Sequence, residues 1–190
     1  MTAPLIPTEI ETERLVLRRP AEADADALVA VFDAEVVRYL DGHVPSRDDL
    51  WRSIATWLGH WELRGYGMYT WVEKTTGTVV GRGGLWYPSG WPQIEVGWTL
   101  GRAHWGRGYA TEAGRAVLET ARHGLRLKRL DAGHFIDNPA SGRVLEKLGF
   151  RPVGKIVPYY SAGRGEAAPC RLFELDFAQE ADVASAAMAA

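Results

Sequence analysis

The spacing of apolar positions changes along the chain, and each change marks an element. Glu11 to Arg18 sets Leu15 and Leu17 against polar neighbours, the two-residue period of a strand, and Pro20 ends it. Ala21 to Phe32 is Ala-rich with Leu28, Val31 and Phe32 on one side, which predicts a first helix. Asp41-Gly42 to Pro45 reads as a loop. Ser46 then offers an N-cap, and Asp48 and Asp49 sit where the helix dipole favours negative charge. Leu50, Ile54, Trp57, Leu58 and Trp61 follow at helical spacing, and Gly65 and Gly67 stop the helix. Met68 to Glu73 and Thr78 to Trp86 read as strands around a hairpin signal, Thr75-Thr76-Gly77, and Gln93 to Leu100 as another after a turn from Pro88 to Pro92.

Gly101 to Gly108 is rich in Gly and Arg, and it leads into a long amphipathic helix, Tyr109 to Leu125, with Ala110, Ala113, Val117, Leu118 and Ala121 inward. Arg129 to Phe135 reads as a strand. Asn138-Pro139 opens a short helix with Val144, Leu145 and Leu148 as its buried stripe and Gly149 as its stop. Pro152 to Val157 and Cys170 to Phe177 are the last strands, joined by a Gly-rich loop carrying Tyr159 and Tyr160. The order is β-α-α-β-β-β-α-β-α-β-β, without an internal repeat. Three successive strands before a crossover helix predict an α+β fold with a mixed sheet rather than a doubly wound parallel one. One domain over residues 1–178 is expected, followed by an Ala-rich tail at 179–190.

Composition narrows the function classes. A chain of 190 residues with 46% hydrophobic and 24% charged content suits one globular domain. No apolar run reaches the roughly 20 residues that span a bilayer. Met1 to Glu9 lacks the basic-then-apolar pattern of a secretory signal, so a cytoplasmic protein without membrane attachment is expected. Cys170 is the only cysteine, and His43, His60, His104, His123 and His134 lack metal-ligand spacing, so no metal is expected. The net charge of −2 hides an asymmetry: residues 101–165 carry 12 Lys/Arg against 5 Asp/Glu. Two readings of that segment stand, a local anionic ligand and solvated helix faces; a nucleic-acid surface is the weaker fit.

The stretch that bears on chemistry is Ile94 to Glu112, IEVGWTLGRAHWGRGYATE, a strand running through a Gly-containing loop into a helix. The first amides of that helix have no intrahelical partner, and Gly106 and Gly108 allow the backbone to turn several N–H groups into one concavity. A pyrophosphate fits such a nest, with Thr111 adding a hydroxyl and Arg107 a charge. The Walker loop is excluded because Gly-Lys-Ser/Thr is absent, and the dinucleotide fingerprint is poor because Thr111 stands at its third Gly. Coenzyme A is the remaining reading.

The combination of GWTL, WGRGYATEA and NPASGRVLEKLGF resembles the GNAT acetyltransferases, and within them the RimJ/RimL-type branch of protein N-terminal acetyltransferases, to which ETERLVLRRP is also similar. Two motifs in order, about 30 residues apart on the right elements, make the resemblance specific. It implies a mostly antiparallel sheet, flanked by helices, with a V-shaped splay between two parallel strands. It further implies acetyl-CoA as cosubstrate and an amine acceptor, either a peptide N-terminus or a small molecule, that attacks the thioester directly in a ternary complex. Family habit adds a homodimer.

The resemblance places Trp98, Thr99 and Leu100 on the pantetheine arm. It places Trp105, Gly106, Arg107, Gly108, Tyr109, Ala110 and Thr111 around the pyrophosphate, and Asn138 on the coenzyme unless it serves only as an N-cap. Ala103 departs from the Gln or Arg usual three residues before the first Gly. Glu95 is the candidate base, or else a structural hydrogen-bonding residue. The position of the usual tyrosine acid falls on Leu145, which leaves Ser141 to serve the leaving sulfur or merely to bond a backbone amide. His134 is a satisfied structural histidine or a proton-transfer aid. Trp57 and Trp61 are core by spacing, whereas Trp51 and the Trp86–Trp91 turn can reach an acceptor. Cys170 is core, not a nucleophile. A coenzyme-A-binding module without turnover is the alternative from another functional class.

Overall fold

A computed structural model describes residues 3–40, 42–161 and 166–178. Asp41, part of the Tyr159–Gly165 segment and the tail from residue 179 lie outside the described residues. The strands are β1 (Glu9–Glu11), β2 (Leu15–Arg18), β3 (Met68–Glu73), β4 (Val79–Trp86), β5 (Glu95–Leu100), β6 (Arg129–Phe135), β7 (Arg151–Pro152), β8 (Val157–Ser161) and β9 (Glu166–Asp176). The helices are α1 (Asp24–Val31), α2 (Ala34–Val37), α3 (Arg47–Arg64), α4 (Tyr109–Glu119) and α5 (Pro139–Lys147). All the strands join one sheet in the order β1-β2-β3-β4-β5-β6-β9-β7, with β8 also on β9. Every pairing is antiparallel except β5 with β6. This is the mixed, helix-flanked α+β sheet that the element order predicts.

Local chemistry explains most boundaries. Ser46 and Asp49 exchange side-chain and backbone bonds in a capping box at the start of α3, and Gly65 ends that helix at φ 75°. Asn138 caps α5 by accepting from the Ser141 N–H at 3.3 Å, with Pro139 in the first turn.

Four elements differ from the sequence reading. The strand read over Glu11–Arg18 is a hairpin, because the Thr12 and Leu15 backbones and the Thr12 hydroxyl close a turn between β1 and β2. The helix read over Ala21–Phe32 is α1, and a short helix that the sequence reading left out follows it: Asp33 accepts from the Val36 N–H and starts α2. The Tyr109–Leu125 helix leaves α geometry at Thr120 and ends in a π turn. The strand read over Pro152–Val157 is interrupted at Gly154, φ 65°, which sends Val157 onward into β8.

A bulge in β4 positions the site. Trp71 pairs with Gly81 and Val72 with Val79, so Val80 is an extra residue and the facing of the strand changes there. Val80 is buried in the main core with Val117 of α4, while Val79, Trp86 and Met68 pack on the second cluster with Leu28, Ile54 and Trp57 of α1 and α3. Trp57 and Trp61 are both buried, as their spacing predicts.

Gly83 shows how close the strands lie. A Cβ there would stand 2.4 Å from the Trp71 ring and 2.8 Å from the Gly97 carbonyl. Neither ring nor backbone can yield freely inside a packed sheet, so Gly83→Ala is expected to cost about 1–3 kcal/mol. Urea unfolding should show it as a lower midpoint with an unchanged slope.

Candidate active site

The two halves of the sheet meet at one point. β5 pairs with β4 along its whole length, and β6 pairs likewise with β9. Between β5 and β6 the register holds at Glu95 and Asp131 alone, where the Asp131 N–H donates to the Ile94 carbonyl at 3.2 Å. Beyond it the strands diverge. The Gly101 N–H bonds the Val80 carbonyl on the β4 side at 2.9 Å. Strand alternation therefore turns the backbone groups of Val96, Trp98 and Leu100 toward the gap. The Trp105 indole takes the Leu100 carbonyl at 2.7 Å and the parallel bridge engages the Val96 N–H, so among the described residues the edge at Trp98 has no pairing strand.

A cleft occupies this gap. Trp98, Thr99, Leu100, Trp105, Gly106, Ala110, Asn138 and Ser141 line it, together with Val36, Tyr39, Leu40, Ala140 and Val144. It thus gathers eight of the predicted site residues. Arg107, Gly108, Tyr109 and Thr111 are not in its wall; they belong to the adjoining loop and first helical turn. Leu145 points into the core, 1% exposed, and Val144 is its neighbour that reaches the cleft.

The loop presents uncapped amides at its open end and is anchored beneath. Gly106 and Gly108 hold φ of 73° and 82°, values that side-chain-bearing residues resist. No side chain caps α4, in contrast to α2, α3 and α5. Its first intrahelical bond is Glu112 N–H to Gly108 C=O, so the amides of Tyr109, Ala110 and Thr111 lack intrahelical partners. Below the loop, Arg14 donates to the Arg107 carbonyl at 2.8 Å and to Glu112 at 2.7 Å, and Thr12 donates to Glu112 at 2.6 Å. Burial pushes the Glu112 carboxyl up, but these bonds and the Arg14 charge prevail and hold it below the usual range. The Tyr109 ring turns inward under Arg14 and its hydroxyl donates to Glu73, which leaves its amide for a ligand.

A second pocket lies on the other side of β5 and shares Leu40, Trp98 and Thr99 with the cleft. Trp57, Arg82, Trp86, Trp91 and Glu95 are among its walls. Glu95 titrates at about 7, pushed up by burial and by the facing charge of Asp131 and held back by a hydrogen bond from Tyr159. The Tyr159 hydroxyl is in turn pushed up to about 12 by burial and by Glu95.

Sequence reasoning missed two of these residues. Tyr159 was read as loop, although Val157 and Tyr159 already show the strand alternation that seats them against β9. Arg82 was passed over, although it is a lone charge in the apolar run VVGRGGLW. Among the aromatics, Trp51 is exposed and donates to Glu22, whereas Trp86 and Trp91 reach the pocket. His134 bonds the Phe135 carbonyl through Nδ1, and its Nε2 would stand 2.6 Å from a Cβ on Gly142. That close fit gives it a packing role. Cys170 is buried and lines neither pocket.

Comparisons with known proteins agree with this geometry. The model of the Acetyltransferase (GNAT) domain family matches residues 14–151. The uncharacterized N-acetyltransferase p20 of Bacillus licheniformis is 30% identical over 156 residues, covering 80% of this chain and 86% of that one. A GNAT-family acetyltransferase of Bacillus anthracis superposes with a TM-score of 0.76 at 24% identity, over 88% of this chain and 98% of that one. The ribosomal-protein-S5-alanine acetyltransferase of Vibrio fischeri shares the fold with a TM-score of 0.73 at 17% identity, over 90% and 97%. With a splayed sheet, an uncapped helix behind a glycine loop and a family model spanning most of its length, the chain belongs to the GNAT acetyltransferases and is an acetyl-CoA-dependent enzyme.

Proposed function

We propose that the enzyme moves the acetyl group from acetyl-CoA to a primary amine by direct attack in a ternary complex. The observation that carries this reading is the meeting of two pockets across β5: one with a free strand edge and an uncapped helix, the other with a carboxyl that titrates at neutral pH. The pantetheine arm would add to the β5 edge at Trp98, beyond the bridge to β6, as a further strand, and the pyrophosphate would take the amides at the start of α4. Coenzyme A supplies the thioester; the other steps fall to this chain's residues.

The acceptor arrives as an ammonium, with a pKa near 8 for an α-amine or about 10.4 for a lysine. Glu95 takes one proton, directly or through water, and its value of about 7 matches an α-amine best. The nitrogen attacks the thioester carbonyl carbon. A C–N bond forms, and a β5 amide hydrogen-bonds the developing oxyanion. The C–S bond then breaks, and the second proton of the attacking nitrogen passes by way of a hydroxyl to the leaving thiolate, a relay for which Ser141 is the hydroxyl in the cleft wall. The motif resemblance and the ribosomal-protein acetyltransferase among the structural neighbours support placement near the RimJ/RimL-type branch, and with it an α-amine acceptor.

Calorimetric titration and an amine panel test the whole reading. Saturable one-to-one binding of acetyl-CoA and release of coenzyme A thiol with at least one amine are expected; binding without turnover of any amine would sink it. Glu95→Gln should lower kcat by roughly 10²–10⁴ and leave acetyl-CoA affinity unchanged. In the native enzyme the kcat/KM profile should rise through an apparent pKa of about 7. Tyr159→Phe removes the donor that holds the carboxyl down and should move that limb to higher pH.

The same shift has a stability consequence. The folded value of Glu95 lies above the unfolded value near 4.3, so its favourable contribution is complete below that pH and is lost as pH rises to about 7. Denaturation of native enzyme and Glu95→Gln across pH 4 to 8 should therefore differ in slope within that window and run parallel above it.

A further inference from the structure

A row of residues in register crosses four strands: Arg18 on β2, Thr70 on β3, Arg82 on β4 and Thr99 on β5. Its two arginines are treated differently. Arg18 holds Asp24 through two bonds of 2.9 and 2.6 Å, and Thr70 donates to the same carboxylate at 2.7 Å. Arg82 has no carboxylate among the described residues. Its guanidinium lies between the rings of Trp57, at 4.8 Å, and Phe32, at 5.7 Å. It keeps some accessible surface as a pocket wall, yet its Nε is closed to water and lacks a hydrogen-bond partner. Burial alone acts on its titration and lowers it to about 10, which still leaves it a cation at neutral pH.

The next residue in the row shares this condition. Thr99 Oγ1 is buried and has no hydrogen-bond partner. Because Thr99 pairs with Arg82, and Glu95 with Trp86 farther along the same two strands, all four side chains face the side of the sheet covered by α1 and α3. All four line the pocket shared with the cleft through Thr99. A buried Nε of a guanidinium that has no carboxylate, on the same pocket wall as a buried hydroxyl without a partner, is expensive, and folded proteins keep such groups where a ligand completes them.

We infer that Arg82 and Thr99 bind an anionic group of the acceptor, and that the acceptor is a small amine carrying a carboxylate or similar oxyanion. The amine end faces Glu95, an assignment that rests on the transfer reading above. The apolar body lies against Trp57, Trp86 and Trp91. A pocket of about 340 Å³ is at the small end of ligand sites and suits a single amino-acid-sized molecule. The guanidinium neutralises the anion, and its two N–H edges and the Thr99 hydroxyl supply the donors a carboxylate accepts.

The test uses twin amines that differ only in the carboxylate: phenylalanine against 2-phenylethylamine and 6-aminohexanoate against hexylamine. Binding is read from the thermal midpoint of the protein with saturating coenzyme A, and transfer from kcat/KM with acetyl-CoA. At least one carboxylate twin should stabilise the native protein more than its partner and be preferred in transfer by about tenfold or more. That preference should fall to near one in Arg82→Met, which keeps the apolar stem, and return in part in Arg82→Lys. If Arg82→Met does not fold, Thr99→Val should reduce the preference several-fold.

Native protein showing no preference, or Arg82→Met retaining it, would overturn the inference. So would a preference confined to peptides with an acidic first residue, which would make the acceptor a polypeptide. The two readings fail separately. Turnover of neutral amines without preference leaves acetyl transfer standing and removes the anion site. Preferential binding of the carboxylate twins without transfer keeps the anion site and removes the enzymatic reading.

Discussion

A single register position, Glu95 opposite Asp131, carries the architecture and the chemistry together. Parallel strands normally zip along their length, but these two are each committed elsewhere, β5 to β4 and β6 to β9, and twist apart after their first contact. The divergence leaves a strand edge inside the molecule, which proteins usually cover because it pairs with any extended chain. In the proposed transfer reaction, that edge is where an extended pantetheine arm would add.

The same contact sets two carboxylates face to face, an arrangement that costs stability when both are charged. The structure resolves it unequally. Asp131 is held by the Arg129 guanidinium at 2.7 and 3.1 Å. Glu95 is buried, faces that anion and is answered only by the Tyr159 hydroxyl, so its proton is held to about neutral pH. The junction that opens the sheet thereby makes the group able to accept a proton from an amine.

The glycine loop follows the same division between support and vacancy. Arg14, Thr12 and Glu73 come from the N-terminal strands and their turns, and they tie down Arg107, Glu112 and Tyr109 from below. Anchoring of this kind lets the start of α4 forgo the side-chain cap that Ser46 and Asn138 give to other helices. Its amides are left without a side-chain cap by structure built far away in the chain.

Signals that reside in neighbouring residues were legible in the sequence: the periods of the strands and helices, the Ser46 and Asn138 caps, the glycines before α4, and the motifs that resemble GNAT enzymes. Each depends on a few consecutive backbone dihedrals, which local chemistry determines. Even these signals were blurred where one side chain redirects the backbone, as Thr12 does between β1 and β2, where a helix is too short to show a period, as in α2, or where a strand passes through a break, as at Gly154. Glu95 could be named as a candidate, but its neutral-range titration depends on Asp131 and Tyr159, distant in sequence and brought together by the sheet. Arg82 was an isolated charge in a strand until the β4 bulge turned it toward α1 and α3, where its guanidinium meets the rings of Phe32 and Trp57. Burial, charge pairing and the point at which two strands part are properties of long-range contacts, and only the tertiary structure decided them.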